Sequence, residues 1–479
     1  MQTFKESFSQ HYFILSLLFV MAVYLPVNGL KILNFDDTEL VMRLHNNFSD
    51  INWVGLFFRD SSTKYYRPLL EVLCYLDYAM WGLSITAYHL TNYIIHIFNA
   101  CLVYLIARQW FQDKKNAGIW AALAMVFFAL NPLTCESVAW ISGRSDLAGT
   151  FFSLLAVYCW FLKSSLRFFL TPLAILSGLL CKENALAVIP IIVLLEWFIN
   201  YRNKKSFNEN LKSCFAWSII VLIPLFLYLF LRTNGWENHT YEYINVTKSS
   251  PAASQGVTGK IDILKILYLL PVTAFYLKKL IIPFPLNFAI ADINTGFYAF
   301  LSAVIFGLII VWLKKKKVSY IFFLCLLVLS FVPALPVALE NISWVPMAER
   351  YLYMSVSIMA IGAASLLLNF QEKKIFDSNL LITICLIIIL ILSVATFQRE
   401  FVFKDSKSIW TATLKTNPDN GMVLQKYAQA VGLEEGQKAY RKAVANPEPF
   451  VWRAEALLGI AQYESSIGNH DSALQYILQ

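Results

Sequence analysis

The sequence predicts an all-α protein: a polytopic membrane helical bundle of about eleven spans, followed by a C-terminal array of helical repeats. Three observations carry this: the composition, the alternation of apolar runs with basic clusters, and a 34-residue period in the tail. Hydrophobic residues make up 58% of the 479 and charged residues only 15%, with a mean hydropathy of +0.56. An ordinary soluble domain carries roughly a quarter charged residues, so a soluble globule could not hide this much apolar surface. With 18 Gly, 16 Pro and 8 Cys, the chain is not collagen-like, disordered or a disulfide scaffold. The net charge of +8 is not a nucleic-acid footprint. Its basic residues lie between apolar runs, as in Lys114–Lys115, Arg202–Lys205 and Lys314–Lys317, the pattern of cytoplasmic loop anchors. The cysteines form no CxxC and mostly sit in apolar runs, so neither disulfides nor a metal site are assigned.

A crossing helix needs about 20 apolar residues, fewer where neighbours bury it. In order, the candidates are Tyr12–Leu30, Thr86–Trp110, Ala117–Asn131, Leu147–Leu162, Phe168–Cys181, Ala185–Asn200, Cys214–Leu231, Gly296–Leu313, Val318–Leu335, Tyr351–Phe370 and Asn379–Phe397. The first lacks an A-x-A-like cleavage site and reads as a retained span. The apolar stretch Ile263–Ile282 contains Lys265, Lys278 and Lys279 and reads as interfacial or re-entrant. With the N-terminus inside, the loops 112–116, 163–167, 201–212, 314–317 and 371–374 all fall inside. Each carries at least two Lys or Arg. The positive-inside rule selects this orientation, with Lys278–Lys279 as its one exception. Segments 31–67, 132–145, 232–260 and 336–350 and the tail from Gln398 then face outward. The chain divides into a membrane domain, 1–397, and an extracytoplasmic segment, 398–479.

In that tail, small residues, Tyr and Gly recur at helical spacing. Leu424, Tyr427, Gly432, Ala439, Tyr440 and Ala443, closed by Pro447, are echoed by Leu457, Ile460, Ala461, Gly468, Ala473 and Tyr476. Ala439 and Ala473 stand one tetratricopeptide period apart. Two generic amphipathic hairpins are the plainer alternative.

Chemistry-bearing residues cluster on the outward side. Asp36 and Asp37 follow the first span directly. A carboxylate held at the membrane surface suits a general base for a hydroxyl, or a metal ligand, whereas a bare acidic pair is usually a solvated loop. Arg67, in Tyr65-Tyr66-Arg67-Pro68 with Arg59 and Lys64 upstream, could fork onto a phosphate or snorkel as an anchor. His89, Asn92 and His96 share one face of the second span. This reads as a hydrogen-bonded seam before a metal site, since no carboxylate sits at ligand spacing. Glu136 precedes Gly143-Arg144-Ser145-Asp146. Lys182-Glu183 is wedged between two short apolar runs, where buried charge is costly and therefore points to function. Glu349-Arg350-Tyr351 opens the tenth span.

In this order the motifs resemble the membrane glycosyltransferases of the GT-C class. The nearest pattern is their transmembrane and tetratricopeptide-repeat branch, which is O-mannosyltransferase-like. The resemblance is carried by Asp36-Asp37, Tyr66-Arg67-Pro68-Leu69, Tyr88-His89-Leu90-x-Asn92-x-x-x-His96, Glu136-Ser137-Val138-Ala139 with Gly143-Arg144-x-Asp146, Cys181-Lys182-Glu183 and Glu349-Arg350-Tyr351-Leu352-Tyr353. It implies a GT-C-type bundle and inverting transfer of a sugar from a polyprenyl-phosphate carrier to an acceptor hydroxyl, on a protein or a glycan, at the extracytoplasmic face. Asp36 would be the base, with Asp37 as runner-up. Lys182, Arg350 and Arg67 would hold the carrier phosphate. Glu136, Arg144, Asp146, Glu183, His89 and His96 would position the substrates. No cofactor or metal is assigned, and the partners implied are the lipid-linked sugar, the acceptor and the bilayer, with no nucleic acid.

Two other readings remain open: an O-antigen ligase or polymerase-type transferase, and a non-catalytic scaffold presenting the repeats. The late outer loop is short and lacks the His expected of a ligase. The compact chain favours a bacterial inner membrane with a periplasmic C-terminus. Sequons at Asn47, Asn238, Asn245 and Asn341, all on the proposed outer side, keep an endoplasmic reticulum membrane with a luminal C-terminus as the alternative.

Overall fold

The computed structural model describes residues 2–58, 65–236, 263–340, 346–446, 450 and 452–479. Arg59, Lys64, Asn238, Asn245, Asn341 and Pro447 lie outside the described residues. Within them the chain is an all-α polytopic membrane bundle, and the only sheet-like feature is an isolated bridge between Ile290 and Met347.

The helices that build it are α1 (Gln2–Val23), α2 (Asp36–Asn47), α3 (Pro68–Trp81), α4 (Ile85–Trp110), α5 (Ala117–Ala129), α6 (Cys135–Ala139), α7 (Arg144–Trp160), α8 (Arg167–Leu179), α9 (Val188–Arg202) and α10 (Phe207–Trp236). Then come α11 (Ile263–Ile281), α12 (Thr295–Lys314), α13 (Val318–Phe331), α14 (Tyr353–Glu372) and α15 (Ser378–Val402). The tail adds α16 (Ser406–Thr416), α17 (Gly421–Val431), α18 (Leu433–Ala445), α19 (Arg453–Ser466) and α20 (His470–Leu478). Several starts are set by side-chain caps that satisfy an otherwise orphaned amide. Asn294 accepts from Phe297 N, Asp405 from Ser408 N and Asn420 from Val423 N.

Every expected span has a helix, but length and apolarity alone qualify six among the described residues: Ile85–Trp110, Glu183–Arg202, Phe207–Thr233, Thr295–Lys314, Glu349–Glu372 and Asn379–Val402. Ala117–Ala129 with Pro132–Ala139, bent by 51°, makes a possible seventh. Two of the other expected spans are shorter helices because polar motifs bound them. α7 opens on Arg144-Ser145-Asp146, and α8 stops just before Lys182. Such helices lie against protein, so they need not satisfy the full apolar length.

The core is continuous through the bundle. At one end Trp110, Phe198 and Phe322 stack, with Phe198 and Phe322 centroids 3.8 Å apart. There the basic loops meet, Lys114 pairing with Glu372 at 2.9 Å. The opposite end carries the polar motifs and the tail. Trp410 on α16 is 1% exposed and packs edge-on against Phe35 and Phe288, while Met422 and Val423 of α17 join the same core. Beyond that contact, α17–α18 and α19–α20 form two helical hairpins with their own small core around Tyr440 and Ile460. A Cβ on Gly436 would come within 2.6 Å of Ala428 O, so α17 and α18 approach at a distance that only glycine permits there.

Candidate active site

The segment before α2 is pinned at both sides. Lys31 N donates to Lys404 O at 2.9 Å, Asn34 N to Ser406 Oγ at 2.9 Å, and Trp410 Nε1 to Asn34 Oδ1 at 3.3 Å. Phe35 sits among Trp140, Phe288 and Trp410 with ring centroids 5.4–5.6 Å away. This fixes the start of α2, and the two acids in its first turn point in different directions. Asp37 is fully buried, and its Oδ1 accepts from Ser142 N at 2.8 Å and Ser142 Oγ at 2.7 Å. Asp36 is exposed, and its carboxylate makes no hydrogen bond or ion pair with a described residue. Its surroundings nonetheless exclude enough water to push its pKa up, an effect that Arg350 opposes and Glu39 reinforces. Burial pushes Asp37 up further, to about 7, against the pull of the Ser142 hydrogen bonds.

Three ion pairs join the other charged candidates. Lys182 Nζ lies 2.5 Å from Asp146 Oδ2, Arg350 Nη1 lies 2.6 Å from Glu136 Oε1, and Arg67 Nη2 lies 2.7 Å from Glu183 Oε2. Asp146, Lys182, Asn184, Arg350, Tyr351 and Met354 line one narrow cleft. Gly143 makes the local turn possible, since a Cβ there would stand 2.7 Å from Ser137 O. The guanidinium of Arg350 lies over Trp140 and Tyr351, and that of Arg67 over Tyr65 at 4.3 Å. Desolvation lowers the Lys182 pKa to about 8, Asp146 raising it and Arg67 and Arg350 lowering it. Asp36 is within electrostatic reach of Arg350, and Tyr65 within reach of Arg67, Tyr351, Glu183 and Asp36. Asp36, Arg67, Lys182, Glu183, Arg350, Glu136 and Asp146 therefore share one neighbourhood.

Three other sequence candidates lie inside the bundle. Arg144 is 1% exposed; its Nη1 lies 2.6 Å from Asp77 Oδ2, and it donates to Asn92 Oδ1 at 2.8 Å and Tyr88 O at 2.9 Å. His96 Nδ1 is 2.6 Å from the Tyr353 hydroxyl, and its Nε2 is 3.2 Å from Ala129 O. His89 is buried beside the backbone of Lys31 and Ala139. These residues fasten α4 to the segment 129–144 and so hold the cleft wall. The described residues bring no three His, Cys, Asp or Glu together as a metal-ion cluster.

Sequence reasoning missed two groups. Lys279 Nζ is 2.7 Å from Glu349 Oε1, and Arg399 Nη2 is 3.4 Å from Glu349 Oε2. Lys279 had shown itself only as the exception to the charge rule. Lys426, on α17, lies over the Trp452 ring at 4.2 Å and within electrostatic reach of Asp36. Nothing in its local sequence signals that placement.

No family model matches the chain. A protein O-mannosyl-transferase of Caenorhabditis elegans, F38B6.6, is 25% identical over 435 residues, covering 86% of this chain and 59% of that protein. The human protein O-mannosyl-transferase TMTC3 is 25% identical over 451 residues, covering 85% of this chain and 46% of that protein. The chain thus spans about half the length of the curated relatives it matches. Among solved structures, the apo oligosaccharyltransferase of Archaeoglobus fulgidus superposes with a TM-score of 0.46 at 12% identity, covering 100% of this chain and 60% of that one. ArnT of Cupriavidus metallidurans, bound to undecaprenyl phosphate, gives 0.42 at 12% identity, covering 97% and 76%. By sequence, then, this membrane bundle is similar to the protein O-mannosyl-transferases of animals.

Proposed function

We propose that the chain is a glycosyltransferase that moves a sugar from a polyprenyl-phosphate carrier to a hydroxyl acceptor, a protein Ser or Thr, at the extracytoplasmic face of the membrane. One observation carries this reading: Asp36, a carboxylate with no hydrogen-bond or ion-pair partner among the described residues, lies within electrostatic reach of Arg350, which with buried Lys182 lines a narrow cleft. Asp36 takes the acceptor proton as the hydroxyl oxygen attacks the anomeric carbon. The bond from that carbon to the carrier phosphate oxygen breaks in the same step, which inverts the centre. Lys182 and Arg350 meet the charge that develops on the departing phosphate, in a site where low dielectric strengthens the interaction. Asp146, Glu136 and Glu183 are positioning residues that fix those cations and Arg67. A lysine has three donors and an arginine five, so each can hold its carboxylate and still reach a phosphate.

The segment 398–479, read as tetratricopeptide repeats, presents the acceptor above the cleft and brings Lys426 towards Asp36. The names of the relatives make mannose the first sugar to test. Purified protein in liposomes is given a labelled short-chain polyprenyl-phosphate mannose and a Ser/Thr-rich peptide. Label transferred to the peptide supports the reading. Donor bound but never transferred, to peptide or to glycan acceptors, favours the scaffold.

A further inference from the structure

The basic pair that breaks the positive-inside rule lies beside a groove of the membrane surface. Lys279 is 3% exposed and Arg399 5%, yet they share a single carboxylate, Glu349. Lys279 Nζ also donates to the carbonyls of Pro283 and Pro285, and Lys278 Nζ to that of Phe284. These contacts hold the lysines in place without neutralising them. Glu349 is further occupied by Asn287 N at 2.7 Å. Two other acids stand near: Glu136, paired with Arg350, and Glu400, whose oxygens have no hydrogen-bond partner among the described residues and which lies towards Tyr24 and Cys135. With the Glu136–Arg350 pair neutral overall and both Glu349 and Glu400 ionised, Lys278, Lys279 and Arg399 still leave a positive excess. Arg399 Nε is buried and donates to nothing among the described residues.

Arg399 also forms the polar end of a groove of about 560 Å³. Its walls are apolar, from Phe284 and Leu286 on one side to Leu390, Ile391, Val394 and Val402 of α15 on the other. Leu390, Ile391 and Val394 are 64, 51 and 47% exposed, facing the lipid that surrounds the bundle. An apolar trough that ends in surplus positive charge is complementary to an amphiphile with an anionic head.

We propose that this groove is a binding site for a phosphate-bearing membrane lipid. Its chain lies along α15, and its phosphate reaches Arg399, with Lys279 behind. The site is separate from the cleft of Lys182 and Arg350. It explains why two lysines stand where the charge rule forbids them, since an anionic lipid head compensates them.

The test is native mass spectrometry of the full chain released from detergent, with farnesyl phosphate as probe. Wild type should bind two molecules, one in the cleft and one in the groove. Arg399→Gln should retain one, the groove affinity falling at least tenfold. Glu349 keeps Lys279 as its partner in that variant, so the fold survives. Val394→Trp fills the groove without touching a charge and should also retain one. Lys182→Ala should lose only the cleft molecule. Farnesol, which lacks the phosphate, and inorganic phosphate, which lacks the chain, should each bind at least tenfold more weakly in the groove. Two molecules bound to both Arg399→Gln and Val394→Trp would overturn the proposal, as would equal binding of farnesol or of inorganic phosphate. If only Lys182→Ala loses a molecule, the groove fails and the cleft reading stands; if only the groove variants do, the reverse holds.

Discussion

Replacing Asp36 by Asn removes a base with almost no change in shape, and the structure separates its effect from that of the neighbouring acid. The Asp36 carboxylate has no hydrogen-bond partner among described residues, so the fold loses only one charge at the first turn of α2, whose helix-end gain of about 0.3–1 kcal/mol is opposed by the desolvation that raises its pKa. General-base assistance is typically worth about 10²–10⁴-fold, which is about 2.7–5.4 kcal/mol of barrier at 1.36 kcal/mol per tenfold. Transfer should therefore fall by at least about two orders of magnitude while thermal unfolding in detergent hardly moves. Asp37→Ala should do the opposite. It leaves the Ser142 amide and hydroxyl without their acceptor, a cost of about 1–3 kcal/mol for each group that stays buried. The assay is single-turnover transfer from a polyprenyl-phosphate sugar to peptide, run beside a thermal melt of each variant. Asp36→Asn protein that melts normally and transfers at the wild-type rate refutes Asp36 as the base. If Asp36→Asn and Asp37→Ala lose stability equally, the geometry of the turn itself is misread.

Three further outcomes are expected. The rate should follow a bell in pH: its acid limb lies above the ordinary Asp range, because the raised Asp36 must lose its proton to act, and its alkaline limb lies near 8, because Lys182 must keep its proton to hold phosphate; Lys182→Arg should push the alkaline limb upward, and an unmoved limb assigns it elsewhere. Asp37 binds a proton more tightly folded than unfolded, so it favours the fold below the unfolded value of 3.8 and loses that advantage as pH rises to about 7; Asp37→Asn should flatten the slope of stability over that window in denaturant titrations, and an unchanged slope places the titration on another group. Trp410→Ala should cost about 3–5 kcal/mol by emptying the socket beside Phe35 and Phe288, loosening the tail from the bundle. Faster proteolysis after residue 404 in the variant would show it, and an unchanged cleavage pattern would mean that other contacts hold the tail.

The amino-acid sequence by itself determined the class of this protein. Its apolar fraction, the length of its runs and the basic clusters between them leave a multi-pass helical bundle as the solution, since hydrocarbon demands that each backbone amide be satisfied within its own helix. The same sequence marked Asp36, Lys182 and Arg350, because charge next to a membrane span is costly and stands out. Which carboxylate holds which cation was decided by the tertiary structure. Arg350 meets Glu136 across 214 residues, and nothing local distinguishes Glu136 from Glu349 or Asp146 as its partner. The difference between Asp36 and Asp37 is likewise tertiary: adjacent residues of a helix point about 100° apart, and the position of Ser142 decides which is tied down and which stays exposed. The shared burial of Lys279 and Arg399 on one carboxylate was invisible for the same reason. Local pattern reports how much charge enters the membrane region, whereas the energy of that charge depends on partners that only the packing of distant helices brings within about 3 Å.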